Sequence, residues 1–345
     1  AVRLYAACLG VSVIMNWPLE NAILMFTTVS IIFIAFGGIK AVVWTGAFET
    51  TIFYIAGIAV AGYLISQING GLSAVYKIAG DAGKLNLFNF NLNFSDPNTV
   101  WAATLNGLFV GMAAFGTDQE LMQRLLTVKT RRASQNAIMA TIVTAFPLTV
   151  IYLTMGTLLF VFFQQRPELA RPDNTDKILS HFVVNCLPMG LKGLILAAII
   201  LASIDSPLSS LSTSFVTDVY RPLIYKAGSE KHYLWVSRVG VVVFGIILAV
   251  MAYMCRSLEG ILWVAFQIVA ITGSSLLGIF LLGLFTKQPG NKGNIIAMVV
   301  NSLVMLVLLI LTQKKIIPLG WSWLIIIGTG LTFGLGYLLD LILDK

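Results

Sequence analysis

The stretch richest in reactive groups is Ala197-Ala198-Ile199-Ile200-Leu201-Ala202-Ser203-Ile204-Asp205-Ser206-Pro207-Leu208-Ser209-Ser210-Leu211-Ser212-Thr213-Ser214. It sets hydroxyls, one acid and one proline in the middle of an apolar run. Ile199, Ala202 and Ser203 are spaced i, i+3 and i+4, which places them on one face of a helix. Pro207 has no N–H to give, and its ring crowds the carbonyl four residues back, at Ser203, so backbone oxygens come free there. Carbonyl and hydroxyl oxygens gathered on one face suit a hard cation such as Na+, by the logic of oxygen-ligated metals. A structural reading competes: small residues let helices pack closely, and hydroxyls bond back to their own helix. That covers Ser209, Ser210, Ser212 and Ser214. It leaves Asp205, because an acid inside an apolar span points to function.

A second region, Trp101–Thr117, holds Gly107, Gly111 and Gly116 and runs into Thr117-Asp118-Gln119-Glu120. Glycine inside a helix costs about 1 kcal/mol relative to alanine, so a break is expected near Gly116. Broken membrane helices are tolerated where their backbone lines a cavity, and transporters aim such ends at solutes and ions. Alternatively the span simply ends at Gly116 and Asp118 caps an interfacial helix. Gln267 is a lone amide in an apolar span, able to bond a solute or to join two helices. Arg3 could hold an anionic group bidentately or snorkel toward the membrane surface.

Enzyme chemistry finds no support. Cys8, Cys186 and Cys255 lie far apart and suit small core residues, and His181 and His232 lie near loops. The chain shows no paired-carboxylate, Ser–His–Asp, phosphate-cradling glycine or metal-binding His/Cys pattern, so ATP-driven transport within it is also unsupported.

The elements that must position these residues are membrane helices. Of 345 residues, 58% are hydrophobic and 11% charged, against about 25% charged in a soluble domain. Ten apolar stretches approach the roughly 20 residues a spanning helix needs: 1–15, 19–37, 39–68, 98–117, 134–163, 190–219, 233–255, 259–285, 294–312 and 319–342. Two connections are long, 69–97 and 164–189, the second with a short amphipathic piece at Asp176–Cys186. The net charge of +7 sits in short loops, where it sets orientation rather than binding nucleic acid. Lys40, Arg124–Arg132 and Arg221–Lys231 then face the cytoplasm, and the two long connections face outward. The chain opens at Ala1 directly into an apolar run with no signal peptide pattern, as expected of a segment from within a longer protein.

Gly37-Gly38-Ile39-Lys40-Ala41-Val42-Val43-Trp44-Thr45, Thr117-Asp118-Gln119 with Gln123-Arg124, Ser203-Ile204-Asp205-Ser206 running to Thr217-Asp218-Val219-Tyr220, and Gly283-Leu284-Phe285 together resemble the sodium:solute symporter family. The resemblance implies an all-α polytopic cell-membrane protein with the leucine-transporter fold, two inverted five-helix repeats around a midplane site. In that register 1–68 is the remainder of the first repeat, 98–285 the second repeat and 294–342 peripheral helices, with the first two core helices missing. The implied activity is Na+-coupled symport of a small polar or anionic solute such as a sugar, a sialic acid or another organic acid. A solute sensor that binds without net transport is the alternative. The family's sodium site falls on the Ile199 carbonyl, Ala202 and Ser203, where Ala202 replaces a usual hydroxyl. Gly46 stands where Asp usually follows the Thr, and Glu49 where Gln is common, which weakens any additional ion site. The solute-side candidates are Gly111, Asp118 and Arg3 from the residues themselves, joined through the resemblance by Ala114 with Phe115 beside it and by Gln267, which matches a sugar-contacting Gln. Ala114 takes the aromatic gate position of the sugar transporters, and Thr144 the place of their Lys.

Overall fold

The computed structural model describes all residues except 170, 205–206, 287–291 and 344–345, and also leaves out the side chains of 38–40, 203–204 and 343. Among the described residues there is no strand. The helices are α1 (Val2–Met15), α2 (Leu19–Gln67), α3 (Gly71–Asp81), α4 (Val100–Thr117), α5 (Gln119–Leu125), α6 (Arg131–Gln165), α7 (Ile178–Cys186), α8 (Met189–Ile204), α9 (Leu208–Ser214), α10 (Glu230–Met254), α11 (Ile261–Phe285), α12 (Lys292–Gln313) and α13 (Leu324–Leu343). A π-helical segment, Phe215–Ile224, follows α9.

Eight of the ten expected spans are long and apolar enough to cross a membrane, two of them, Leu19–Gly37 and Ala41–Gln67, within the single helix α2. The other two are shorter apolar helices, α1 with 14 residues and α8 with 16. The expected continuous span 190–219 is corrected at Pro207, where α9 starts afresh. The physical reason is Pro207, which stands at the N-cap of α9 and cannot donate to the carbonyl of Ser203.

Local sequence sets several boundaries. Thr99, Thr130 and Ser229 cap α4, α6 and α10, accepting from Ala102 N, Ala133 N and His232 N at 3.3, 3.2 and 3.3 Å, as N-cap hydroxyls do. The chain interrupts its helix after Gly116 in the form the alternative reading describes, a span that ends and an Asp118 that caps the short helix after it. α4 ends at Thr117, Asp118 is extended at φ −77° and ψ 118°, and its Oδ1 accepts from Glu120 N at 2.7 Å before α5 starts.

The chain forms two compact units, Ala1–Leu85 with Gln123–Ile261, and Asn86–Met122 with Leu262–Lys345. In the first, α2 packs on α6, α8 and α10, and α1 packs on α2 and α8. Its core includes the buried Leu64, Leu158, Phe162 and Phe182, with Phe162 and Phe182 edge to face at 5.1 Å. Close approach of α10 to α2 depends on Gly245, where a Cβ would stand 2.6 Å from Ile31 Cδ1. In the second unit, α11, α12 and α13 bury Ala270, Met305, Leu324 and Ile325. Its outer loop is fixed by Gly320 N donating to Phe94 O at 2.6 Å and by Asn106 Nδ2 donating to Ser322 O at 2.8 Å.

Candidate functional site

Within the first unit, a cavity of about 20 Å3 is lined by Arg3 of α1, Thr27 and Ser30 of α2, Ala202 of α8, Pro207, and Gly245 of α10. That volume admits about one water-sized occupant. Thr27 and Ser30 are spaced i, i+3 and so share a face of α2. Both are buried, 7% and 1% exposed. Thr27 Oγ1 has no hydrogen-bond partner, which for a buried hydroxyl costs about 1–3 kcal/mol. A bare oxygen beside a cavity of this size is the feature a small cation or a bound water would satisfy. Arg3 brings the only charge among the side chains named here, a guanidinium with five donors suited to a planar carboxylate.

The structure therefore brings together two of the expected residues, Arg3 and Ala202, on one wall. Ile199, from the same face of α8, turns its side chain toward α1. A Cβ at Gly10 would stand 3.3 Å from Ile199 Cδ1. The Ser203 side chain, and Asp205 and Ser206 altogether, lie outside the described residues. Thr27 and Ser30 are additions that the sequence reading missed. Their signal was available as two hydroxyls at helical spacing in an apolar span.

Two of the four serines assigned to the structural reading, Ser210 and Ser212, make the bonds it expects, and Thr213 does so as well. Ser210 Oγ donates to Pro207 O at 2.8 Å and Thr213 Oγ1 to Ser209 O at 2.8 Å. Ser212 Oγ reaches across to Ser237 O at 2.7 Å, joining α9 to α10.

In the second unit, α4 carries Gly111, Ala114 and Phe115, all half-buried, and Asp118 is exposed at its end. Nothing lies within 4 Å of a Cβ built at Gly111, whereas Gly116 faces the Phe280 ring at 3.5 Å. Gln267 Oε1 accepts from Gln313 Nε2 at 2.9 Å, linking α11 to α12.

In the first unit, Gly46 O accepts from Thr50 Oγ1 at 2.9 Å, and Glu49 is buried. Outside the spans, burial pushes the Cys186 thiol up, against Arg166 and Lys192, which pull it down.

A model of the sodium:solute symporter family matches residues 1–301. The chain belongs to the sodium:solute symporter family. Among curated relatives, the sodium-dependent multivitamin transporter of Oryctolagus cuniculus is 28% identical over 86% of this chain and 48% of its own length. The sodium/sialic acid symporter SiaT of Proteus mirabilis is 25% identical over 89% of this chain and 63% of its own. The human sodium-coupled monocarboxylate transporter 1 is 25% identical over 86% and 50%. The chain thus spans 48–63% of the length of these symporter relatives. A solved structure of a Na+-coupled sialic acid symporter in a substrate-bound outward-open state superposes with a TM-score of 0.83 at 22% identity, covering 99% of this chain and 71% of that one. The fold is accordingly the leucine-transporter-like fold of that symporter, and the family places the chain in the plasma membrane as a multi-pass protein.

Proposed function

We propose that this symporter-family chain belongs to a secondary active transporter that couples entry of a small organic anion to Na+. The observation that carries the proposal is the cavity shared by Arg3, Thr27, Ser30 and Ala202. Sodium is cargo here, and its ligands are the Ile199 carbonyl, Ser203, and the hydroxyls of Thr27 and Ser30. The last two supply oxygen where Ala202 has none. Arg3, an exposed residue, holds the solute's carboxylate outside the one-occupant cavity, where the carboxylate also screens its charge from the ion. The named solutes of the relatives, a sialic acid and a monocarboxylate, favour an acid over a neutral sugar. Within the second unit, Gly111, Ala114 and Phe115 on helix α4, with Asp118 and Gln267, are solute-binding residues of their own. Residues 98–285 act as one inverted repeat, 1–68 as the remaining part of its counterpart, and 294–342 as peripheral helices. Ion and solute binding reinforce each other, and that coupling is reciprocal.

The experiment is uptake of radiolabelled sialic acid and of a short monocarboxylate into proteoliposomes, with and without an inward Na+ gradient. Gradient-dependent uptake of one acid is expected, and uptake indifferent to Na+ removes the coupling ion. A second reading, a sensor that binds solute without moving it, is favoured by Gly46 and Ala202, which remove a carboxylate and a hydroxyl from the ion field. Saturable binding with no accumulation would decide for it. Ser203→Ala should raise the Na+ concentration for half-maximal uptake, and an unchanged value takes Ser203 out of the site.

A further inference from the structure

A larger cavity, about 440 Å3, opens on the first unit away from the ion site. Lys84 and Arg171 stand at its rim, and Leu153, Gly156 and Phe160 of α6 form one wall. These three follow i, i+3, i+7, so they form a stripe along one face of α6. Nothing lies within 4 Å of a Cβ built at Gly156, and Leu153 is 67% exposed, so the stripe is an open slot. Phe160 at its upper end carries Lys84 Nζ at 5.3 Å from the ring centroid. Among the described residues neither Lys84 nor Arg171 is in an ion pair. The nearest acid in sequence to Arg171 that makes a bond, Asp176, turns its Oδ2 to Ile261 N at 3.1 Å.

The outward orientation read from the distribution of Lys and Arg points to the occupant. Helix α6 ends at Gln165, whose side chain bonds both N–H and carbonyl of Asn69 at 2.9 Å. That level carries the two long connections that the distribution of Lys and Arg turns outward. At 1.5 Å per residue, Phe160 lies about 7 Å and Leu153 about 18 Å below it. With that end of α6 taken as the outward one, the slot runs from the cations toward the middle of a core about 30 Å thick. A soluble anion would meet the cations but gain nothing from an apolar slot below them.

We infer that this cavity binds an anionic phospholipid of the outer leaflet, its phosphate between Lys84 and Arg171 and one acyl chain along Leu153, Gly156 and Phe160. The test is native mass spectrometry of the purified protein with phosphatidylglycerol or phosphatidylcholine, and thermal stability in nanodiscs of each lipid. Phosphatidylglycerol should be retained and should raise the melting temperature more than phosphatidylcholine. Lys84→Gln with Arg171→Gln should weaken phosphatidylglycerol binding about thirty-fold, the worth of two membrane-surface cations. Gly156→Leu, which fills the slot and keeps both charges, should abolish retention. Full retention in either variant overturns the assignment. So does equal stabilisation by inorganic phosphate or glycerol phosphate, which would make this an aqueous anion site. Should a variant fail to fold, crosslinking of wild-type protein with a diazirine-tailed phosphatidylglycerol reads the same question. Peptides covering 153–160 should dominate, and labelling spread evenly over the apolar helices overturns the inference.

Discussion

Two groups of polar side chains sit inside apolar helices, one in each unit, and they differ in what surrounds them. In the second unit Asn301 Nδ2 donates to Ser274 Oγ at 3.1 Å and Ser275 Oγ at 2.8 Å, and Ser275 meets Ser302 at 3.1 Å. That cluster is packed shut. A Cβ on Gly328 would stand 2.4 Å from Ser274 Oγ. In the first unit, Thr27 Oγ1 is buried and unpartnered, as Asn301 Oδ1 is in the cluster, but it faces a cavity. Both patterns look alike as letters, serines and threonines in hydrophobic runs. The difference is room: where neighbours fill the space the hydroxyls are glue, and where a water-sized gap remains they are a site.

The comparison breaks most sharply at Gly328. Adding a methyl there drives into Ser274 and should cost about 1–3 kcal/mol, the range for overpacking a tight interior. Thermal unfolding in detergent should show the loss for Gly328→Ala, while the Na+ dependence of any surviving uptake stays at the wild-type value. A shift in Na+ affinity without lost stability would make the second cluster an ion site too. The cavity side is probed next by Arg3→Lys, which keeps the charge but removes the two-pronged geometry. Half-saturation by the solute acid should rise about tenfold, as expected for a charge-assisted hydrogen bond lost. A wild-type value would return Arg3 to a role at the membrane surface.

Thr27→Val sharpens the same contrast from inside the cavity. Removing a hydroxyl without a partner relieves a buried polar group, so stability should hold or rise by about 1 kcal/mol. If that oxygen is an ion ligand, half-maximal Na+ should rise several-fold in uptake assays. Stability falling with no change in Na+ dependence would make Thr27 another piece of glue.

The fold was largely legible in sequence because bilayer helices declare themselves by length and apolarity. Stretches such as 259–285 and 294–312 fall within two residues of α11 and α12. The break at Asp118 was legible as well, since glycines and a charge after an apolar run leave few alternatives. What the letters concealed was pairing between helices. Gln267 reads equally as a solute contact or a tie until Gln313 is seen at 2.9 Å. Thr27 looked ordinary because an orphaned oxygen is defined by neighbours far away in sequence, on α1, α8 and α10. The division of 190–219 at Pro207 was foreseen as freed carbonyls, but not as a helix that starts afresh at Leu208.

The smallest effect expected lies outside the spans, at Cys186 on the end of α7. Burial raises its pKa and wins over the lowering pull of Arg166 and Lys192. A raised thiol pKa lends stability that is complete below the unfolded thiol's value of about 8.5 and is lost as pH climbs through the folded one. At pH 7.5 the thiolate is therefore scarcer than in a free thiol, and alkylation depends on the thiolate. With Cys8 and Cys255 changed to serine, maleimide labelling of Cys186 should be slower than that of a small free thiol. Its rate should still be rising at about pH 10, where a free thiol of pKa about 8.5 is nearly all thiolate and has levelled off. A rate that levels off with the free thiol would show that the two cations, not burial, govern this end of the helix, and would class its surroundings with the open cavity rather than the packed cluster.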